Sequence, residues 1–361
     1  MEYLFEYRRY RLPFRLPLRT AHGPWGEREG VLVRLTDEAG VAGYGEAAPI
    51  PWFGTETADA VEAACRELGG KVDTARLAAF GAAAAQAPAG PERLGCLRNA
   101  LAAAQAPAES WVQPPPALGV AALLPAGRAA LAPLMARAED GFRVFKWKVG
   151  VADAADELVL LDDLCAALPE GAKLRLDANG AWDRRRAERW LERCAERPVE
   201  FIEQPCFAPA TEGPAQRRRT DDLLLGLAHE FPTPLALDES VTGEDDLARW
   251  LAAGWPGVFI VKPSLLGDVA ATLAKLAKAK AAVVFSSALE TGVGARAAAR
   301  AAFAWPGLMA AAGAAAPPRA LGFGIWPLFA DARFDGPYLA PFLAWSDLER
   351  LNPEAVWNAL P

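Results

Sequence analysis

The chain has 361 residues, of which 52% are hydrophobic and 23% charged, enough to bury a large core as one barrel or as two or more domains, and too apolar for a disordered chain. A net charge of -7 offers no field to draw in a polyphosphate and argues against a nucleic-acid partner. Five scattered cysteines without a C-x-x-C pair argue against a disulfide framework or a cysteine zinc site and fit a reducing, cytoplasmic setting. No stretch of about 20 residues is free of charge or breakers, so no membrane span is expected, and the N-terminus reads as unprocessed. Only two histidines occur, His22 and His229, far apart and without H-E-x-x-H spacing, and no G-x-S-x-G elbow is present. Histidine-driven hydrolysis is therefore disfavoured.

From Met1 to about Thr57, apolar and polar residues alternate through YLFEYRRYRLPF, VLVRLTDE and VAGYGEAAPI, with Gly and Pro at the breaks, which predicts a three-stranded antiparallel meander. From about Ala58 to Ala108 the chain is rich in Ala with Leu, Glu and Arg interspersed, which predicts a small helical pack. The run QPPPA near Gln113 closes this region, so residues 1–115 read as an α+β capping domain. Beyond it, short apolar strands alternate with longer amphipathic segments. Strand candidates lie at 117–124, 142–150, 172–180, 200–205, 234–240, 258–264 and 282–288, with an eighth at 319–328. From Lys148 through Asp177, Glu203, Asp238 and Lys262 to Ser286 the intervals are 29, 26, 35, 24 and 24 residues, close to one strand-plus-helix unit. Such repetition over residues 116–328 predicts an α/β fold, a (β/α)8 TIM-type barrel, with an open doubly wound sheet as the alternative. Residues 329–361 are expected to pack back on the capping domain.

Each barrel-strand candidate is apolar along its length and polar at its C-terminal end: Lys146 and Lys148, Asp177, Glu203, Asp238 with Glu239, Lys262, and Ser286 with Ser287. In a barrel those ends share one face, so distant residues converge on one pocket. Singly, each has a plainer reading, because an acid after a strand caps the next helix and a lysine there is a solvated loop charge. Six strands in succession favour the pocket. Three carboxylates in a partly desolvated pocket need a shared proton or a cation, and oxygen-only ligation by Asp177, Glu203 and Asp238 suits Mg²⁺, with Mn²⁺ as a substitute. The K-x-K spacing turns Lys146 and Lys148 to the same face of their strand. Two ammonium groups near a divalent cation are expected to push a lysine pKa down from about 10.4 toward that of a working base. Lysine bases beside a hard cation point to proton abstraction next to a carboxylate.

At these positions the chain resembles the enolase superfamily, and within it the muconate-lactonizing subgroup with its o-succinylbenzoate synthase family, through KWKVG, LRLDANGAW, FIEQP, LALDES, VKPSLLGD and SSALETGVG in family order. The resemblance spans nearly the whole chain. It implies the superfamily's modified barrel with an N-terminal capping domain. For the synthases it implies Mg²⁺-dependent dehydration of 2-succinyl-6-hydroxy-2,4-cyclohexadiene-1-carboxylate to 2-succinylbenzoate, in menaquinone or phylloquinone synthesis. It further implies Lys148 as the base that removes the α-proton and returns a proton to the leaving hydroxyl, with Lys146 as its electrostatic neighbour. Asp177, Glu203 and Asp238 resemble the Mg²⁺ ligands, and Lys262 the sixth-strand lysine that stabilises an enediolate. Asn179, Gln204 and Glu239 stand beside the ligands, either orienting them or serving as turn and cap residues. Ser286 and Ser287, with backbone N–H groups near Gly292 and Gly294, are candidates for the distal succinyl carboxylate. Trp25, Trp52 and Phe53, in cap loops at 19–26 and 49–55, either pack on the substrate or seal an interdomain seam. His22 lies in the first of these loops, reading as a solvated histidine or a substrate contact, and His229 is expected away from the site.

The same two-lysine machinery serves N-acylamino acid racemases, dipeptide epimerases and muconate cycloisomerases of the superfamily. Against an epimerase stands Gly322-Phe323-Gly324, where such enzymes carry an Asp-x-Asp pair, and no histidine after His229 is available for a mandelate-racemase-type base. In a different class, Gly292-Val293-Gly294-Ala295-Arg296-Ala297 matches the G-x-G-x-x-A of NAD-dependent oxidoreductases, but it lies about seven residues past the strand core and no acid follows near 20 residues on. A catalytically inactive binding barrel, its lysines mere surface charges, is the third reading.

Overall fold

The computed structural model describes residues 1–20, 23–106, 116–314 and 317–360. Two long strands, β1 (Glu2–Thr20) and β2 (Gly23–Asp37), pair antiparallel, and β3 (Ala42–Ala47) continues the meander along β2. A fourth strand, β4 (Lys71–Asp73), joins the free edge of β1, so the sheet runs β3-β2-β1-β4 rather than stopping at three. Three residues are too few to display a period of two, and only long-range pairing with Glu2–Leu4 defines them. Helices α1 (Ala58–Leu68), α2 (Thr74–Gln86) and α3 (Gly95–Gln105) form the helical pack. Thr57 and Asp73 cap α1 and α2 by accepting from the Ala60 and Arg76 N–H groups. Helix α3 lies directly on β3, where Gly43 and Gly45 permit the approach: a Cβ at either would stand 1.9 Å from the carbonyl oxygen of Ala104 or Ala100. Val31, Val33, Leu35, Val61, Leu97 and Ala100 make the core of this unit.

The second unit contains β5 (Leu118–Gly119), β6 (Ala122–Leu124), β7 (Val144–Lys148), β8 (Lys173–Asp177), β9 (Val199–Glu203), β10 (Leu235–Leu237), β11 (Val258–Val261) and β12 (Ala282–Phe285). Strands β6 to β12 form one parallel sheet in chain order. The sheet closes through single bridges, Val120 to Leu321 and Ser286 to Gly322, in place of the full eighth strand expected at 319–328. Close packing at Gly322 and Gly324, where a Cβ would meet Ser286 Oγ at 2.6 Å and Ala121 O at 2.1 Å, brings the backbones together at the expense of a regular ladder. Alternation along the strands divides the apolar residues. Phe201, Ala236, Val258, Ile260 and Val284 fill the barrel interior, while Ile202, Leu237, Phe259, Val261 and Phe285 join the larger core.

Helices α4 (Leu131–Glu139), α5 (Ala154–Ala167), α6 (Arg184–Cys194), α7 (Gly213–Glu230), α8 (Glu244–Ala252), α9 (Val269–Lys278) and α10 (Gly292–Ala311) alternate with the strands. In α6, Ala187, Trp190, Leu191 and Cys194 are buried, and Trp190 stacks on Trp182 at 5.0 Å between ring centroids. His229 lies in the last turn of α7, outside the wall of the cavity described below. Near the C-terminus, β13 (Phe342–Leu343) pairs with β5 and is followed by α11 (Trp345–Arg350) and α12 (Pro353–Ala359). Arg8 of β1 donates to the carbonyls of Trp357 and Leu360 and covers the Trp357 ring. All five cysteines are free, and no helix among the described residues is long and apolar enough to cross a membrane.

Candidate active site

Lys148, Asp177 and Glu203 are the last residues of β7, β8 and β9, and Asp238, Lys262 and Ser286 are the first beyond β10, β11 and β12. Parallel registry sets Lys148 beside Asp177 and Asp177 beside Glu203. All six side chains wall one cavity of about 680 Å³, together with Lys146, Asn179, Glu239 and Ser287. Trp25, Trp52 and Phe53 reach the same cavity from the capping unit, with Leu18 and Ile50, so its roof is largely apolar. In strand order, Lys148 and Lys262 stand at the two ends of the row of carboxylates.

The charges interlock. Lys146 Nζ lies 2.7 Å from Asp177 Oδ2 and 2.7 Å from Glu203 Oε1. Lys262 Nζ donates to Asp238 Oδ1 and stands 4.5 Å from the ring centroid of Phe53. Burial pushes the Glu203 carboxyl well above the usual carboxylate range, and the neighbouring charge of Asp177 adds to the rise while Lys146 opposes it. For Lys146, burial works against the charged form, but Asp177, Glu203 and Asp238 outweigh it and hold the ammonium above the ordinary lysine value. Two carboxylates in hydrogen-bonding contact, with Asp238 nearby, outweigh the cost of burying the ammonium.

Asn179 donates its N–H to Asp177 Oδ1 at 3.2 Å and its side-chain amide to Glu239 Oε1 at 3.0 Å. Burial, with the charges of Asp238 and Asp177, pushes the Glu239 carboxyl up to about 7. Gln204 lies behind the wall: its Oε1 accepts from the N–H groups of Asp238 and Ser240, and its Nε2 donates to Cys206 O and Ser240 Oγ. It thus fixes the backbone that carries Asp238. Asn179 and Gln204 adopt left-handed conformations, with φ of 45° and 37°, an uncommon cost for non-glycine residues that is concentrated at this rim.

Among the described residues, no three His, Cys, Asp or Glu side chains stand in an arrangement that could hold a metal ion. The Lys146 ammonium instead occupies the space between Asp177 and Glu203, satisfying them as a cation would. The chemistry of the donor set fits a hard divalent ion, being made of carboxylate oxygens, and Asn179 Oδ1 and Glu239 Oε2 are buried beside it without hydrogen-bond partners among the described residues.

Gly292 and Gly294 are not part of the cavity wall. At the start of α10, the N–H groups of Thr291 and Gly294 donate to the carboxylate of Glu46 on β3, which also accepts from the Tyr10 hydroxyl. A carboxylate of the chain itself already satisfies this helix N-terminus, so neither a succinyl carboxylate nor a dinucleotide pyrophosphate finds it open. Ser286 and Ser287 do reach the cavity, though Ser286 Oγ donates to Gly322 O and Ser287 Oγ to Glu290 Oε2. His22 lies outside the described residues. Sequence reasoning missed Arg175, a buried wall residue that donates to Glu200 Oε2 at 2.7 Å and to Ala320 O at 2.8 Å. Its position two residues before Asp177 in an apolar strand was the available signal.

The family model described as enolase C-terminal domain-like matches residues 130–335. The chain is 37% identical to the o-succinylbenzoate synthase of Thermosynechococcus vestitus over 96% of its own length and 99% of the relative's. It is 31% identical to the enzyme of that description from Thermobifida fusca, over 84% of this chain and 78% of the relative. The solved structure of o-succinylbenzoate synthase from Thermosynechococcus elongatus BP-1, complexed with Mg in its active site, superposes with a TM-score of 0.74 at 34% identity, covering 99% of this chain and all of the other. The L-Ala-D/L-Glu epimerase of Bacillus subtilis, at 21% identity and a TM-score of 0.73, covering 95% of this chain and 96% of its own, shares the fold. The chain therefore belongs to the enolase superfamily, in the family of the o-succinylbenzoate synthases.

Proposed function

We propose that this chain catalyses the o-succinylbenzoate synthase reaction, the loss of water from 2-succinyl-6-hydroxy-2,4-cyclohexadiene-1-carboxylate to give 2-succinylbenzoate. The observation that carries the reading is a row of three carboxylates bracketed by Lys148 and Lys262 on one cavity, in a chain closely similar to such synthases along nearly its whole length. Asp177, Glu203 and Asp238 would hold Mg²⁺, which when bound supplies positive charge to the carboxylate oxygens of the substrate. Lys148 takes the proton α to that carboxylate, and the Lys262 ammonium, opposite it in strand order, offsets the negative charge that develops. Lys148 then gives a proton to the departing hydroxyl, so water leaves and the ring becomes aromatic. Lys146 supports the charge balance by pairing with Asp177 and Glu203 and orienting them. The roof of Trp25, Trp52 and Phe53 keeps bulk water from the ring. Gly322 and Gly324 in the wall offer no acid to hold a substrate amino group, which disfavours a dipeptide epimerase.

The test is turnover by the purified protein of this cyclohexadiene carboxylate beside N-succinylamino acids and a dipeptide panel, with and without EDTA. Fastest turnover of the cyclohexadiene carboxylate, lost in EDTA and restored by Mg²⁺ or Mn²⁺, is expected. Faster racemisation of an N-succinylamino acid, or metal-independent turnover, contradicts the reading.

A further inference from the structure

Arg28 of β2 is 1% exposed, and among the described residues it makes no ion pair. Among the described residues, its guanidinium donates only to main-chain carbonyls. On the capping side these are Ala48, Pro49 at 2.6 Å and Glu29 at 3.0 Å; on the barrel side they are Leu289 at 3.1 Å and Ala288 at 3.2 Å. Both segments wall the active cavity, one through Ile50, Trp52 and Phe53 and the other through Ser286 to Leu289. The guanidinium also lies 5.3 Å from the ring of Trp25, a third wall residue.

A buried charge without a carboxylate in ion-pair contact is an expensive way to join two loops, because the cation gives up its hydration and gains hydrogen bonds to carbonyl dipoles in return. A planar fork with five N–H groups is, however, the one side chain able to hold carbonyls from two segments at fixed angles. The loop it holds leads directly to Phe53, whose ring stands over the Lys262 ammonium. Docking of the two units does not depend on Arg28 alone, since Glu46 separately ties β3 to the start of α10.

We propose that Arg28 is a positioning residue that clamps the capping wall of the cavity to the barrel wall, setting the enclosure of the substrate and the placement of Phe53 over Lys262. The proposal rests on the dehydration reading given above for the same cavity. Substrate affinity then depends on Arg28 although it touches no substrate, whereas a purely structural staple would alter stability and leave the affinity of the surviving folded enzyme unchanged.

The test compares the Mg²⁺-loaded parent with Arg28→Lys, Arg28→Met, Phe53→Leu and the Arg28→Lys/Phe53→Leu double variant. KM for the cyclohexadiene carboxylate should rise about tenfold or more in both Arg28 variants, with a smaller fall in kcat. The KM effects of Arg28→Lys and Phe53→Leu should combine to less than their product, because they act through one loop. Amide hydrogen exchange at 48–54 and 287–291 should speed up in both Arg28 variants, a readout independent of turnover. If Arg28→Met does not fold, Arg28→Lys and the double variant carry the test. A KM within about twofold of the parent, or unchanged exchange in the two segments, overturns the clamp. If the parent fails to turn over the substrate, the dehydration reading fails by itself and the exchange measurement still decides whether Arg28 clamps the two walls.

Discussion

Replacing Glu290 by Gln should stabilise the protein above pH 7 and flatten its stability profile between pH 5 and 8. Glu290 is fully buried just before α10, with Oε2 accepting from Ser287 Oγ at 2.9 Å and from the Ala288 N–H at 2.5 Å, while Oε1 has no partner among the described residues. Burial pushes its carboxyl up to about 7; hydrogen bonds draw it partly back, and the charge of Glu46 adds to the rise. Between pH 4.5 and about 7 the folded state therefore binds a proton that the unfolded chain has released. Stability is fully present below that window and falls as pH rises through it. At about 1.4 kcal/mol per pH unit, the folded state carries a cost on the order of 3 kcal/mol once Glu290 is ionised. Glutamine keeps the acceptor for Ser287 and Ala288 and cannot ionise. Denaturant unfolding at both pH values should show Glu290→Gln more stable than the parent by up to about 3 kcal/mol at pH 8 and within about 1 kcal/mol at pH 5. A variant that is no more stable at pH 8, or that keeps the parent's slope, refutes the reasoning.

Lys146→Met leaves Asp177 and Glu203 without their ammonium partner, a loss of about 3–5 kcal/mol for a broken buried pair, so Mg²⁺ should raise the melting temperature of the variant more than that of the parent; equal gains would count against the shared cation site. Gly45→Ala drives a methyl against the Ala100 carbonyl and should cost about 1–3 kcal/mol in thermal unfolding, and an unchanged melting temperature would contradict the described packing of α3 on β3. Lys262→Ala should lower turnover about 100-fold or more while circular dichroism stays unchanged, and retention of more than about a tenth of the rate would remove it from the charge-stabilising role.

The barrel and its candidate site were legible because each strand from β7 to β12 is a short run that ends in, or is followed at once by, a charged or hydroxyl residue. Strand period and parallel registry then suffice to bring Lys148, Asp177 and Glu203 to one rim. What stayed hidden depends on contacts distant in sequence. Glu46 and Thr291 are 245 residues apart, so the glycines at 292 and 294 look like an open anion site until the carboxylate from β3 is seen filling it. Lys71–Asp73 is a strand only because β1 offers an edge. The rise of Lys146 likewise follows from cross-strand distances that spacing alone does not give. Arg28 reads as one more alternating charge in β2 until its acceptors, up to 261 residues away, are known.

The most direct measurement is turnover of the cyclohexadiene carboxylate by Lys148→Ala at saturating Mg²⁺, with Mg²⁺ affinity determined calorimetrically on the same sample. A proton-transfer role predicts a loss of about 100-fold to 10,000-fold or more in kcat with metal affinity and fold preserved. Turnover within about tenfold of the parent, at unchanged Mg²⁺ affinity, would mean that another group removes the proton and would contradict the account.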